Sequence, residues 1–118
     1  MECDVKLFIR VMKALSDPNR ARVIKLLGTR ELCVCELRQL IGLAQSTVSK
    51  HLKILEEAGL VTYRKDGSWI IYRLSQGEES DYAKVMLKNI EGWLTDDPQL
   101  QEMLARLPRI DREKNCAA

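Results

Sequence analysis

The feature that most constrains the fold is a change of period inside one short stretch. In "STVSKHLKILEEAG" (46–59) the apolar residues Val48, Leu52 and Leu55 recur on one helical face. Immediately afterwards the pattern becomes strand-like: "LVTYR" and "WIIYRL" flank "KDGS", and Asp66-Gly67 is a strong hairpin signal. A helix running straight into a hairpin leaves few arrangements open. What precedes it narrows them further. "CELRQLIG" (35–42) reads as a short helix closed by Gly42, and "LAQ" (43–45) as a tight turn. Two helices across a tight turn form a helix-turn-helix, and the hairpin adds a wing. The helix at 46–59 is expected to be capped by Ser46 and stopped by Gly59.

The rest of the chain is helical in pattern. Residues 5–15 place Phe8, Val11, Met12 and Leu15 on one stripe. "SDPNRARVIKLLG" carries Asp17 as N-cap, Pro18 at the first helical position and Gly28 at the stop. Residues 80–95 return to a helical period through Tyr82, Val85, Met86, Ile90, Trp93 and Leu94, and Pro98 starts a last helix through Leu107. The expected architecture is mainly α with a β-hairpin, a winged helix-turn-helix in the order α-α-α-α-β-β-α-α. Residues 1–107 are expected to form this one domain, and 108–118, without apolar period, a mobile tail.

The 118 residues suffice for one modest core. No apolar run approaches the roughly 20 residues that span a bilayer, and the N-terminus lacks the apolar block of a signal peptide. The expectation is a cytoplasmic protein with reduced thiols and no membrane partner. Net charge is +2, unevenly spread: +4 over residues 1–30, +1 over 31–77 and −3 over 78–118. A basic front suits a polyanion.

Opposite the inward stripe of the helix at 46–59 lie Ser46, Lys50 and Lys53, with Thr47 on one flank and Ser49 and His51 beside them. Small hydroxyls and lysines near a helix N-terminus suit major-groove edges and phosphates of double-stranded DNA. Arg64 and Lys65 stand at the hairpin tip, where they suit phosphates. A protein-binding winged helix is the alternative. The one histidine lies apart from the cysteines, no plausible triad is visible, and neither a Gly-rich phosphate loop nor a paired carboxylate site appears, which argues against an enzyme.

Cys33 and Cys35, in "ELCVCEL", stand at the start of the first helix of the helix-turn-helix. Their spacing is too tight for a relaxed disulfide. A helix N-terminus lowers thiol pKa and favours the thiolate that binds soft ions. On a regular helix residues i and i+2 are about 200° apart, so one ion claiming both sulfurs favours an unwound first turn. Ion and DNA then oppose each other. Opposite faces of one turn are not both core, so at least one of the pair is expected to be partly exposed. A structural zinc site wants four ligands, which this pattern does not offer.

"ELCVCEL", "STVSKHLKILEEAGLV" and "RKDGSWIIYRL" together resemble the ArsR family of bacterial metal- and metalloid-responsive repressors, over roughly residues 5–95. The resemblance is strongest to arsenic repressors with a thiolate motif on the helix before the recognition helix. It implies a homodimer joined through the first and last helices, a palindromic operator, and release by As(III) or Sb(III) held by Cys33 and Cys35. Trivalent arsenic prefers three sulfurs. The best-known members of this subgroup have a third cysteine three residues after the second, where this chain has Arg38. Cys3, Cys116, or a small thiol or hydroxide from solution is left to fill the third place. By the same resemblance, Cd(II) or Pb(II) with Cys3 as an added ligand is an alternative. The helix at 80–95 has Asp81 and Glu91 but no histidine, against zinc sensing. A regulator whose thiols oxidise, and a thiol oxidoreductase or metal-delivery protein without a DNA role, are the further alternatives.

Overall fold

A computed structural model describes residues 4–116. Cys3 therefore lies outside the described residues. The elements run α1 (Asp4–Leu15), α2 (Pro18–Leu27), β1 (Leu32–Cys33), α3 (Val34–Ile41), α4 (Gln45–Glu57), β2 (Val61–Asp66), β3 (Trp69–Leu74), α5 (Asp81–Gly92), α6 (Pro98–Arg106), a 3-10 turn (Leu107–Arg109) and α7 (Arg112–Asn115). The winged helix-turn-helix is present, with one strand and one short helix beyond those expected.

Local signals set most boundaries. Asp17 starts α2 by accepting from the amides of Asn19 at 2.9 Å and Arg20 at 3.0 Å, with Pro18 behind it. Gly42 closes α3 in the left-handed region at φ 82°, a conformation that glycine adopts without Cβ strain, and this bend turns the chain into α4. Two expectations shift. Gly28 ends α2 in the right-handed region, so its freedom is unused. Ser46 is not the cap of α4: Ala44 is, without a side-chain bond, and the helix begins at Gln45. Starting earlier frees the Ser46 hydroxyl for solvent.

The core is built from α2 (Val23, Ile24, Leu26, Leu27), α3 (Leu37, Leu40) and the inward stripe of α4 (Val48, Leu52, Leu55), closed by Leu32, Leu60, Leu100 and Met103. Each fully buried leucine contributes about 1.5–3 kcal/mol of transfer free energy, so these elements hold α4 as one body. The sheet is antiparallel in the order β1-β3-β2, with β3 central. Val61 to Asp66 pair with Leu74 to Trp69, and Leu32 and Cys33 pair with Tyr72 and Ile71. The wing is thus anchored by a strand lying immediately before α3.

Between Pro108 and Cys116, which the sequence pattern assigns to a mobile tail, the chain carries the 3-10 turn and α7 and packs on the domain. Leu107 is buried, Ile110 packs on the core, and Arg30 Nη2 donates to the Ile110 carbonyl at 2.7 Å. Gln39 Nε2 donates to the Asn115 carbonyl at 2.6 Å, Arg112 lies 3.6 Å from Glu36, and Cys35 is disulfide-bonded to Cys116. These partners come from α3 and from the β1 approach, so no local period in the tail announces them.

Asp17 also marks a pH dependence. Burial works to raise its pKa, but amide hydrogen bonds from Arg20 and Asn19 and the attraction of His51 and Arg20 outweigh it and hold the carboxyl below its ordinary value. A carboxylate depressed in the folded state stabilises above its unfolded pKa and loses that contribution as pH falls. Asp17→Ala is expected to cost about 1 kcal/mol near neutral pH. Melting curves of wild type and variant should converge below about pH 4; a constant gap would contradict the assignment.

Candidate functional site

On the outer face of α4, Ser46, Ser49, Lys50 and Lys53 are exposed and Thr47 is partly so, while Val48, Leu52 and Leu55 face the core. Lys50 and Lys53 make no ion pair among the described residues, so both cations are available to phosphates. Gln45, part of the tight turn by sequence pattern, is exposed at the first helical position, where base-reading side chains sit in this fold.

Two expected contact residues are engaged elsewhere. His51 turns toward α2: Nδ1 lies 3.2 Å from Arg20 Nη1 and Nε2 3.9 Å from Asp17 Oδ2, leaving 14% of the side chain accessible. It ties α4 to the cap of α2. At the wing, Arg64 Nε donates to Glu31 at 3.0 Å, with Asp66 at 3.8 Å from its Nη1. Lys65 is exposed and makes no ion pair among the described residues, so it is the cation the hairpin tip offers.

The two motif cysteines occupy different environments, and the expectation that they share the helix gives way. Cys33 is in β1 and is the N-cap of α3, extended at φ −85°, ψ 170°, and 2% exposed. Its amide donates to Glu36 Oε1 at 2.8 Å, while the Glu36 amide points back at its sulfur, a reciprocal capping box. Glu36 is itself buried and is held by Arg30 at 3.4 Å and Arg112 at 3.6 Å. Burial pushes the Cys33 thiol pKa up, and the Glu36 carboxylate adds to that; amide hydrogen bonds from Glu36 and Cys35 oppose it without reversing it. The lowered pKa expected from the helix N-terminus is therefore not found at Cys33. Cys35, in the first turn of α3, is half-buried.

Both cysteines nevertheless line one cleft of about 320 Å³, with Arg38, with Gln45 at the start of α4, and with Ser68, Trp69 and Ile70 of the hairpin. It joins the thiol motif to the start of α4 and to the hairpin. Trp69 and Ile70 were legible as strand but not as its wall. Cys116, in contrast, is brought directly onto Cys35. Among the described residues no group of three or more His, Cys, Asp or Glu converges as a preformed metal site. The donors are soft thiols, which fit a thiophilic ion.

A winged helix-turn-helix with an open basic face on its second helix defines a DNA-binding transcriptional regulator. The sequence model described as "Bacterial regulatory protein, arsR family" matches residues 17–63. The chain is 40% identical over 99 residues to the arsenic resistance transcriptional regulator ArsR1 of Pseudomonas putida, covering 79% of this chain and 77% of that one. It is 34% identical over 110 residues to the arsenical resistance operon repressor of Escherichia coli, covering 92% and 88%. Among solved structures it is similar to the homodimeric winged helix-turn-helix DNA-binding domain from Mycobacterium bovis, with TM-score 0.64, 27% identity and coverage of 77% and 85%. The protein belongs to the ArsR family and is a transcriptional repressor rather than an enzyme. No helix among the described residues is long and apolar enough to cross a membrane.

The contrast between the thiols is measurable. After reduction, iodoacetamide should label Cys35 and Cys116 rapidly and Cys33 only on unfolding, at least tenfold more slowly. Equal labelling of all three, read by peptide mass spectrometry, would contradict the burial of Cys33.

Proposed function

We propose that the protein is a homodimeric repressor that holds a palindromic operator and is released when trivalent arsenic or antimony binds Cys33 and Cys35. The observation that carries this reading is the double role of Cys33, cap of α3 and strand partner of the wing. Drawing its sulfur toward Cys35 removes the acceptor that the Glu36 amide uses and pulls on the Cys33–Ile71 pairing. Both effects reach DNA-facing parts, α4 through the α3–α4 turn and the hairpin through β3. A ligand that binds only the rearranged state opposes DNA by linkage.

Ser46, Thr47, Ser49, Lys50 and Lys53 read and anchor the duplex, and Lys65 anchors the wing. The names of the arsenical-resistance relatives support the inducer class. Dimerisation is supported by the apolar residues that α1 and α5 leave exposed, Val5, Phe8, Ile9 and Val85, where Phe8 and Tyr82 already stack edge-to-face at 5.5 Å. Two-fold symmetry of the protein calls for two-fold symmetry of the site.

The Cys35–Cys116 disulfide favours a second reading, release or retention governed by thiol oxidation. One gel-shift series separates the two. Reduced protein should bind duplex DNA with strong salt dependence, and arsenite should weaken it by roughly tenfold or more, the range of ordinary allosteric coupling. The doubly substituted Cys33→Ser, Cys35→Ser protein should bind DNA equally well, since serine caps a helix, and ignore arsenite. Undiminished release from that variant would overturn the site. Release by peroxide alone, reversed by dithiothreitol, would establish the second reading instead.

A further inference from the structure

The C-terminal segment brings a cysteine to the thiol motif from the same chain. We propose that Cys116 is a metalloid ligand and that Cys35 and Cys116 form the first pair of sulfurs to bind, an inference that rests on the functional reading above and names its missing donor. Three observations converge. The two residues are joined as a disulfide with Cα atoms 6.0 Å apart, so the backbone places their sulfurs within reach of one small ion once they are reduced. Gln39, one turn further along α3, directs Nε2 at both sulfurs, 3.5 Å from Cys35 Sγ and 3.6 Å from Cys116 Sγ. A shared amide donor suits a pair of sulfurs carrying negative charge. The same Nε2 donates to the Asn115 carbonyl at 2.6 Å, so the residue that faces the sulfurs also fixes the strand of chain that carries one of them.

The rest of the segment is fastened independently of the sulfurs. Arg112 lies 3.6 Å from the buried Glu36, and Arg30 Nη2 donates to the Ile110 carbonyl at 2.7 Å. Cys116 is therefore held near α3 after reduction, and its effective concentration at Cys35 stays high. Cys33 is buried and engaged in the cap, so it enters last.

The chemistry balances without a change in the oxidation state of arsenic. A dithiol reductant first opens the disulfide, giving two thiols and its own cyclic disulfide. Arsenous acid then exchanges two hydroxides for the thiolates of Cys35 and Cys116; the two thiol protons leave with them as two waters. Cys33 displaces the last hydroxide as a third water and completes the three-sulfur set. In the disulfide form the first pair has no thiol to offer, so oxidation and metalloid exclude each other at the same two atoms.

Phenylarsine oxide tests the pair, because it takes two thiols and loses its oxygen as one water. Protein is reduced with a phosphine, freed of it, treated with the probe, and read by intact-mass spectrometry with iodoacetamide counting the remaining thiols. Wild type, Cys3→Ser and Cys33→Ser should each bind one arsenical at the expense of two thiols. Cys35→Ser and Cys116→Ser should lose the adduct, or need at least tenfold more probe, with unchanged circular dichroism. An adduct that survives Cys116→Ser, or that is lost on Cys33→Ser or Cys3→Ser, would overturn the proposal. The readout involves no DNA: failure of arsenite to release the operator would sink the functional reading and leave this mapping untouched.

Discussion

The structure depends on the capping box between Cys33 and Glu36. The hydrogen bond from the Cys33 amide to Glu36, with the Glu36 amide facing the Cys33 sulfur in return, does more than begin a helix. Cys33 is also the last residue of β1 and pairs with Ile71, so the same residue ends the strand that carries the wing and begins the helix that supports α4. The acid in the box is buried, which is costly unless its charge is met. Arg30, just before β1, and Arg112, in the C-terminal helix, meet it. A single carboxylate thus gathers the approach to β1, the start of α3 and the end of the chain.

That arrangement explains how a small ion at a few sulfurs could control a surface elsewhere. A packed core is not continuously deformable, so a change is felt where elements share a residue rather than where they merely touch. Cys33 is shared by the wing and α3, and the cleft beside it is walled by Gln45 and Trp69. In the proposed switch, soft-ion affinity is what supplies the differential free energy between two states.

Much of the fold was legible because its signals are local. Asp17-Pro18 fixed the start of α2, Asp66-Gly67 the hairpin, and Val48, Leu52 and Leu55 the inward face of α4. What escaped was non-local or too short to have a period. β1 has two residues and exists only because β3 offers it an edge. His51 and Arg64 read as DNA contacts, and nothing local announces their partners: Arg20 lies 31 positions from His51 and Glu31 33 positions from Arg64. The contacts of Ile110, Arg112 and Asn115 are not legible locally because their partners, Arg30, Glu36 and Gln39, lie in other elements. The motif cysteines were found, but their different burial was hidden by the strand that one of them belongs to.

The central claim is that the cap of α3 is opened when the metalloid takes the Cys33 sulfur. Amide hydrogen exchange with and without arsenite tests it most directly. The account predicts faster exchange at the amides of Cys33 and Glu36 in the loaded protein, while Leu52 and Leu55 in the core of α4 keep their protection. Unchanged protection at Cys33 and Glu36 in protein that has let go of its operator would contradict it.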